Sequence, residues 1–307
     1  MVSKRGVPMW TRGLILSIIL IISNSCMLRK GMDVDFSDNA LSQGGLALVH
    51  LSMGRASPSG GVSGAFRGGG TVIIEDSKGG GAWAIVAADL ESEAGKYYIL
   101  FNKHGKTVST SIRLLHGNFG TDRITLPAEM TEFDEPTLQR IESESEALGS
   151  VWAASAPVRL WSGPFVMPLK GRVSGEFGKR RILNGERRSP HGGLDIAAPR
   201  GTPVMASGGG RVAFTGEFFF HGKLVVLDHG LGVFTIYSHL DSILVQKGEA
   251  VKAGRPIGRV GATGRATGPH LHFAVLVKEA RVSPLSFIGL TRRLNRVVGR
   301  DEEEGGE

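Results

Sequence analysis

Two short motifs far apart in the chain, His191-Gly-Gly-Leu-Asp195 and His270-Leu-His272, limit what this sequence can fold into, because together they hold the ligand types of a metal site. Zinc with one position left open takes three ligands from histidine and carboxylate. Any fold that uses these residues must bring two distant segments to one point. Leu271-His-Phe-Ala-Val-Leu-Val277 follows the breaker Gly268-Pro269, and its unbroken apolar and β-branched character predicts a buried strand. Side chains two apart on a strand share a face, so His270 and His272 point one way while Leu271 and Phe273 point the other. His191 and Asp195 stand at helical spacing, but Gly192-Gly193 between them and Pro199 after them predict a turn leading into a strand.

Six of the 9 histidines (His191, His221, His229, His239, His270 and His272) fall between positions 191 and 272. His239 closes the apolar run Val233-Phe-Thr-Ile-Tyr-Ser-His239 and joins the cluster. His221 and His229 stand beside glycines and read as exposed, structural residues. On regular alternation Tyr237 shares a face with His239, where packing is favoured over lining a groove. Asn184 lies in the loop before His191, which is too little to give it a role. Spacing alone also allows His270 as a fourth ligand, which would make a closed structural site rather than an open catalytic one.

An ordered series of further motifs surrounds these residues: Phe177-Gly178, Gly201-Thr-Pro-Val204, Val225-Val-Leu-Asp-His-Gly230, Tyr237-Ser-His-Leu240, Val251-Lys-Ala-Gly254, Ile257-Gly258, Thr263-Gly264 and Gly268-Pro-His-Leu-His-Phe273. From Phe165 to Ile288 the chain resembles the lysostaphin-like, or LytM-domain, zinc endopeptidases that cut peptidoglycan cross-bridges. The resemblance implies one zinc ion held by His191, Asp195 and His272, with His239 and His270 as the catalytic pair. It implies an antiparallel-sheet peptidase domain with an open cleft, and peptidoglycan as the partner. The family often carries Glu after the His-x-His-Phe segment. Ala274 stands there in this chain, at a position that is not a ligand. A non-catalytic LytM-domain protein that binds the wall or activates an amidase is the alternative, although such members usually lack one or more of the five positions filled here. A structural metal module would leave His239 and His270 without a task.

Composition agrees with a mainly β protein: 45 glycines and 13 prolines interrupt short apolar runs, and 307 residues suffice for about two domains. The net charge of +7 suits an anionic wall or membrane surface. With no helix-turn-helix, zinc-finger or RNP-type motif, nucleic acid is not an expected partner. Lys4, Arg5 and Arg12 precede the apolar run Leu14–Ile22, the pattern of a secretory signal, so 1–26 reads as a signal peptide or lipoprotein signal. The single cysteine, Cys26, lies just after that run in a lipobox-like context. Lipidated Cys26 would anchor an exported, periplasmic or membrane-attached envelope protein, and one cysteine excludes disulfides within the chain.

The remaining organisation is a spacer over 27–43, a small Ig-like β-sandwich over 44–130, a helical linker over 131–160, the peptidase domain over 161–290 and a charged tail over 291–307. In the linker Asp134 caps a helix with Pro136 in its first turn and Leu138, Ile141 and Leu148 as its apolar stripe, ending at Gly149. His50, His104 and His116, in the first region, have no ligand spacing and read as non-functional. In relatives of this family such linker segments sometimes cover the cleft, so self-inhibition is a further implication, and any envelope regulator is unidentified.

Overall fold

Runs such as Leu46-Ala-Leu-Val-His-Leu51 and Ala82-Trp-Ala-Ile-Val-Ala87 are too short and too often interrupted by glycine for helices, and they form strands. The computed structural model describes residues 33–36, 40–52, 61–75, 81–125 and 132–303. The segment expected as a signal, 1–26 with Cys26, lies outside the described residues. The first region contains β1 (Asp33–Phe36), β2 (Ala40–Ser42), β3 (Leu46–Ser52), β4 (Val62–Phe66) and β5 (Gly69–Glu75). It continues with β6 (Gly81–Ala88), β7 (Gly95–Lys103) and β8 (Lys106–Leu115). These make two four-stranded sheets, ordered β1-β3-β6-β5 and β2-β8-β7-β4.

The core between the two sheets takes Val49, Leu51, Ala84, Val86, Ile99, Phe101 and Leu114. In β6 the alternate residues Ile85 and Ala87 face the other way and join the core of the second region, together with Val72 and Ile74 of β5. The first sheet is therefore apolar on both faces. This explains why β6 reads as a continuous hydrophobic run rather than an alternating one.

After β8 the chain adds β9 (Thr121–Ile124) and then α1 (Glu135–Ala153). Asp134 caps α1 as expected, its carboxylate accepting from Thr137 N at 3.0 Å. The helix does not end at Gly149 but runs through it to Ala153. Gly149 sits on the exposed side, while Ala147, Leu148, Val151 and Trp152 pack on the sheet. The stop comes from Asp228, whose carboxylate accepts from Ser155 Oγ at 2.7 Å and Ala156 N at 2.8 Å. Leu138, expected in the buried stripe, is exposed.

The second region comprises β10 (Arg172–Gly175), β11 (Arg180–Leu183), β12 (Glu186–Arg188), β13 (Leu194–Ala197), β14 (Pro203–Met205) and β15 (Gly210–Phe218). There follow β16 (Gly222–Asp228), β17 (Val233–Ile243), β18 (Ala250–Val251), β19 (Pro256–Val260), β20 (His270–Val277), β21 (Ala280–Val282) and α2 (Pro284–Glu303). One ten-stranded sheet runs β10-β13-β20-β17-β16-β15-β18, with β14, β19 and β21 joined at its sides. Its pairings are antiparallel. Among the described residues no helix is long and apolar enough to cross a membrane.

The two faces of this sheet have different tasks. Leu271, Phe273, Val275 and Val277 of β20 point into the main core, against Phe165, Phe287 and the first sheet. Ala274 and Leu276 point the opposite way, under α1. His270 and His272 continue that second row, so α1 covers the lower half of the face whose upper half carries the histidines.

The region after residue 290 had been expected as a charged tail. It instead continues α2, because Phe287, Ile288, Thr291 and Leu294 recur at helical spacing and are buried. Residues 304–307 lie outside the described residues.

Candidate metal centre

Strand register sets the site. β13 and β20 pair so that Asp195 stands directly opposite His272, and β10 places Gly175 opposite Asp195 on the other side. A side chain at Gly175 would meet the Asp195 carboxylate at 2.4 Å, and one at Gly193 would meet the His272 ring at 2.7 Å. Glycine is required at both places for the ligands to converge. His191 is fixed from outside the strands: its N–H donates to Lys179 O, its carbonyl accepts from Gly178 N, and its Nδ1 donates to the Glu176 carbonyl at 2.8 Å.

With Nδ1 so occupied, His191 Nε2 carries a lone pair. It lies 3.0 Å from Asp195 Oδ1 and 3.1 Å from His272 Nδ1, and the last two atoms are 2.8 Å apart. Two acceptors held together in this way need a proton or a cation between them. Ligand distances of 2.0–2.1 Å in a tetrahedral shell separate neighbouring ligand atoms by about 3.3 Å, so the triangle fits a transition-metal ion with little adjustment. Two imidazole nitrogens and a carboxylate oxygen suit such an ion, and the Glu176 carbonyl behind His191 is the usual orienting partner. Burial alone would raise the Asp195 carboxyl, but hydrogen bonds and charge from His191 and His272 when these rings are protonated outweigh it and hold the group well below the usual carboxylate range.

His239 and His270 stand beside this triangle with ring centroids 4.7 Å apart, and His239 lies 6.0 Å from His272. Each is oriented through Nδ1, His239 by the Thr263 carbonyl and His270 by the Gly268 carbonyl, both at 2.8 Å. Each Nε2 is then the free acceptor. His270 Nε2 is 3.9 Å from Asp195 Oδ1, just off the ligand triangle. Burial pushes the His239 imidazole down to about 3, the charge of His272 adds to this, and the Thr263 carbonyl opposes it.

His239 reaches this face through a break in the strand. Its φ of 62 lies in the left-handed region, so the alternation that would pair it with Tyr237 fails. Tyr237 is fully buried in the opposite core, where its hydroxyl accepts from Ser207 N at 2.8 Å. It packs there and lines no groove.

The expected exposure of His221 and His229 is corrected. His229 is fully buried, donating from Nδ1 to Gly209 O at 2.6 Å and meeting Thr235 Oγ1 at 2.7 Å, with the Phe165 ring against it. His221 stands at the site itself. Its ring is 6.4 Å from that of His272, its Nδ1 meets Ser238 Oγ at 2.9 Å, and its carbonyl accepts from His239 N. Burial first, then the charges of His272 and Arg265, push His221 down to about 4. The signal that could have placed it is Gly222: at φ 57 it presses against Thr263, drawing residue 221 to the loop that holds His239. Asn184 is exposed and occupies, with Gly185, the tight turn between β11 and β12, both at positive φ.

Comparisons with known proteins converge on this region. Residues 189–284 match the model of Peptidase family M23. The chain is 44% identical over 150 residues to peptidoglycan DD-endopeptidase ShyA of Vibrio cholerae, a match covering 43% of this chain and 35% of that protein. It is 44% identical over 117 residues to DD-carboxypeptidase/endopeptidase Mpg of Neisseria meningitidis, covering 38% of this chain and 26% of that one. It thus spans about a third or less of the length of these curated relatives. A crystal structure assigned to peptidase M23 of Pseudomonas aeruginosa aligns over 81% of this chain and 95% of its own, at 30% identity and a TM-score of 0.64.

Proposed function

This chain belongs to peptidase family M23, and from that premise we propose that it is a zinc-dependent endopeptidase hydrolysing the peptide cross-links of bacterial peptidoglycan. The observation that carries the reading is the meeting of His191 Nε2, Asp195 Oδ1 and His272 Nδ1 within 3.1 Å of one another, with two further oriented imidazoles beside them. The names of the relatives, a DD-endopeptidase and a DD-carboxypeptidase/endopeptidase, support a bond of the DD class.

His191, Asp195 and His272 would hold one zinc ion. When bound, it supplies polarisation of the scissile carbonyl and a lowered pKa for water. The chain's own residues do the rest. Backbone carbonyls at Thr263 and Gly268 fix the tautomers of His239 and His270, so that each presents an unprotonated Nε2 to the same small volume. The imidazole that takes a proton from the attacking water becomes a donor at Nε2, so it can stabilise the developing oxyanion and then hand that proton to the leaving amine, and the two residues share these roles. The buried position of His239 keeps its ring neutral through the ordinary pH range, as a proton acceptor requires.

The same reading makes the protein an exported envelope component working on the wall, anchored through lipidated Cys26. The test is digestion of purified cross-linked sacculi by residues 27–307, with and without chelator and beside His272→Ala, followed by mass spectrometry of the released muropeptides. Conversion of dimers to monomers only by the metal-loaded parent supports the proposal. Unchanged dimers in the presence of bound zinc would refute it.

A further inference from the structure

The sheet β2-β8-β7-β4 has an outer face that takes no part in the chemistry above. Its inner face packs Ile99, Phe101, Ile112 and Leu114 into the core of the sandwich. The alternate residues point outward: Lys96, Tyr98 and Leu100 of β7, and Ser109, Ser111 and Arg113 of β8, all of them exposed. Register sets them in opposed pairs, Lys96 beside Arg113, Tyr98 beside Ser111 and Leu100 beside Ser109. Tyr98 is 58% exposed and Leu100 45%. The Lys96 ammonium lies 5.3 Å from the centroid of the Tyr98 ring.

Like charges directly opposite one another on neighbouring strands are destabilising. Lys96 and Arg113 stand in that relation, and neither is in an ion pair among the described residues. The four strands hold no Asp or Glu, so the negative charge that would relieve the repulsion has to come from outside the sheet. Tyr98 and Leu100 add an apolar step between two serine hydroxyls. The C–H face of a sugar ring packs on such a step, while its hydroxyl and amide groups bond to the serines. A polymer of amino sugars whose attached peptides carry carboxylates meets all of these demands at once. The face is also tied to the metal centre. β8 leads through residues 116–120 into β9, and in that link Phe119 packs edge-on against Phe177 at 6.0 Å. Gly178, the next residue, donates its N–H to the His191 carbonyl.

We propose that this outer face is a second binding site for peptidoglycan, separate from the catalytic cleft, with the glycan strand on Tyr98 and Leu100 and stem carboxylates at Lys96 and Arg113. This rests on the peptidoglycan-peptidase reading and deepens it. The site does no chemistry; it holds the polymer so that cross-links along it are presented to the cleft.

The experiment sediments the full chain with purified sacculi, in mild detergent and with chelator present so that nothing is cut. The parent binds, and its affinity falls as salt is raised. Tyr98→Ala binds about tenfold more weakly, the size of loss expected for a contact anchor. Lys96→Gln combined with Arg113→Gln loses a similar amount and most of the salt dependence with it. All three side chains are exposed, so these variants keep the fold. With metal restored, digestion of sacculi falls by the same factor in each variant. On soluble cross-linked muropeptide dimers, which carry the scissile bond but little glycan, kcat/KM stays within about twofold of the parent. Equal binding of the parent and Tyr98→Ala to sacculi would overturn the proposal, as would a parent that does not sediment with them. Equal losses on sacculi and dimers would overturn it too. Sedimentation that depends on Tyr98, with sacculi left uncut by the metal-loaded parent, would refute the peptidase reading alone.

Discussion

A residue in the left-handed region within a strand is uncommon for anything but glycine and costs about 1–2 kcal/mol, so His239 must be held there by its surroundings. Its N–H bonds the His221 carbonyl and its Nδ1 bonds Thr263, which together fix the ring beside His270. The ligands depend in the same way on what flanks them. Gly193→Ala would place a methyl 2.7 Å from the His272 ring and from the Phe273 carbonyl, and the rigid strand leaves neither free to move. The expected result is a fall in zinc affinity of about tenfold or more, of the size seen when a ligand's supporting shell is lost, measured by chelator competition.

A second residue-scale prediction concerns His229, away from the site. Burial pushes it down to about 4, whereas the unfolded chain titrates it near 6.5. Between those values the unfolded state binds the extra proton. The contribution to stability is therefore fully present above about 6.5 and is lost as pH falls towards about 4, amounting to about 3 kcal/mol. In His229→Gln, which keeps a donor for Gly209 and an acceptor for Thr235, unfolding free energies from denaturant titration at pH 7 and pH 4 should differ by that much less than in the parent. An identical slope in both proteins would show that His229 does not titrate as its burial requires. His191, Asp195, His239, His270 and His272, which the structure brings together, could be singled out in the sequence because each stands in a local motif. The place of His221 was not, since it follows from a backbone contact between Gly222 and Thr263 that no run of residues announces.

At the scale of elements, period and punctuation carried most of the fold. The strand from His270, the turn at Gly192-Gly193 and the cap at Asp134 all follow from nearest neighbours. The helix ends did not, because they are set by distant partners: Asp228 stops α1, and burial of Thr291 and Leu294 extends α2 beyond Leu290. Gly149 shows the difference. It looked like a stop signal, yet it lies inside α1 with nothing within 4 Å of where a side chain would begin. Glycine in an exposed helix interior is worse than alanine by about 0.8–1.0 kcal/mol. Gly149→Ala should therefore raise stability by about 1 kcal/mol in chemical denaturation without changing activity. A destabilised variant would mean that the helix is not continuous there in solution.

At the scale of the molecule, the described residues form one compact unit. The reason lies in β5 and β6. Val72, Ile74, Ile85 and Ala87 face away from their own sandwich and share a core with Phe165, Phe287 and Val277, whose strand ends beneath the first sheet. Arg281 reinforces the seam by reaching Asp89 at 3.1 Å and Glu91 at 2.7 Å, and Ser283 N donates to Gly44 O. The ion pairs are partly exposed and contribute little beside the apolar contact. A peptidase region tied in this way cannot unfold alone without baring that apolar face of the first sheet to water. Ile85→Ala tests this from the side farthest in sequence from the metal ligands. Truncating a fully buried isoleucine costs about 2–5 kcal/mol, which for a chain of this size lowers the melting temperature by about 3–8 °C. If the core is shared, release of zinc to an indicator dye falls by the same number of degrees as the loss of β-sheet circular dichroism, in a single transition for both proteins. If the regions were merely tethered, Ile85→Ala would split the melt and leave the temperature of metal release where it was in the parent.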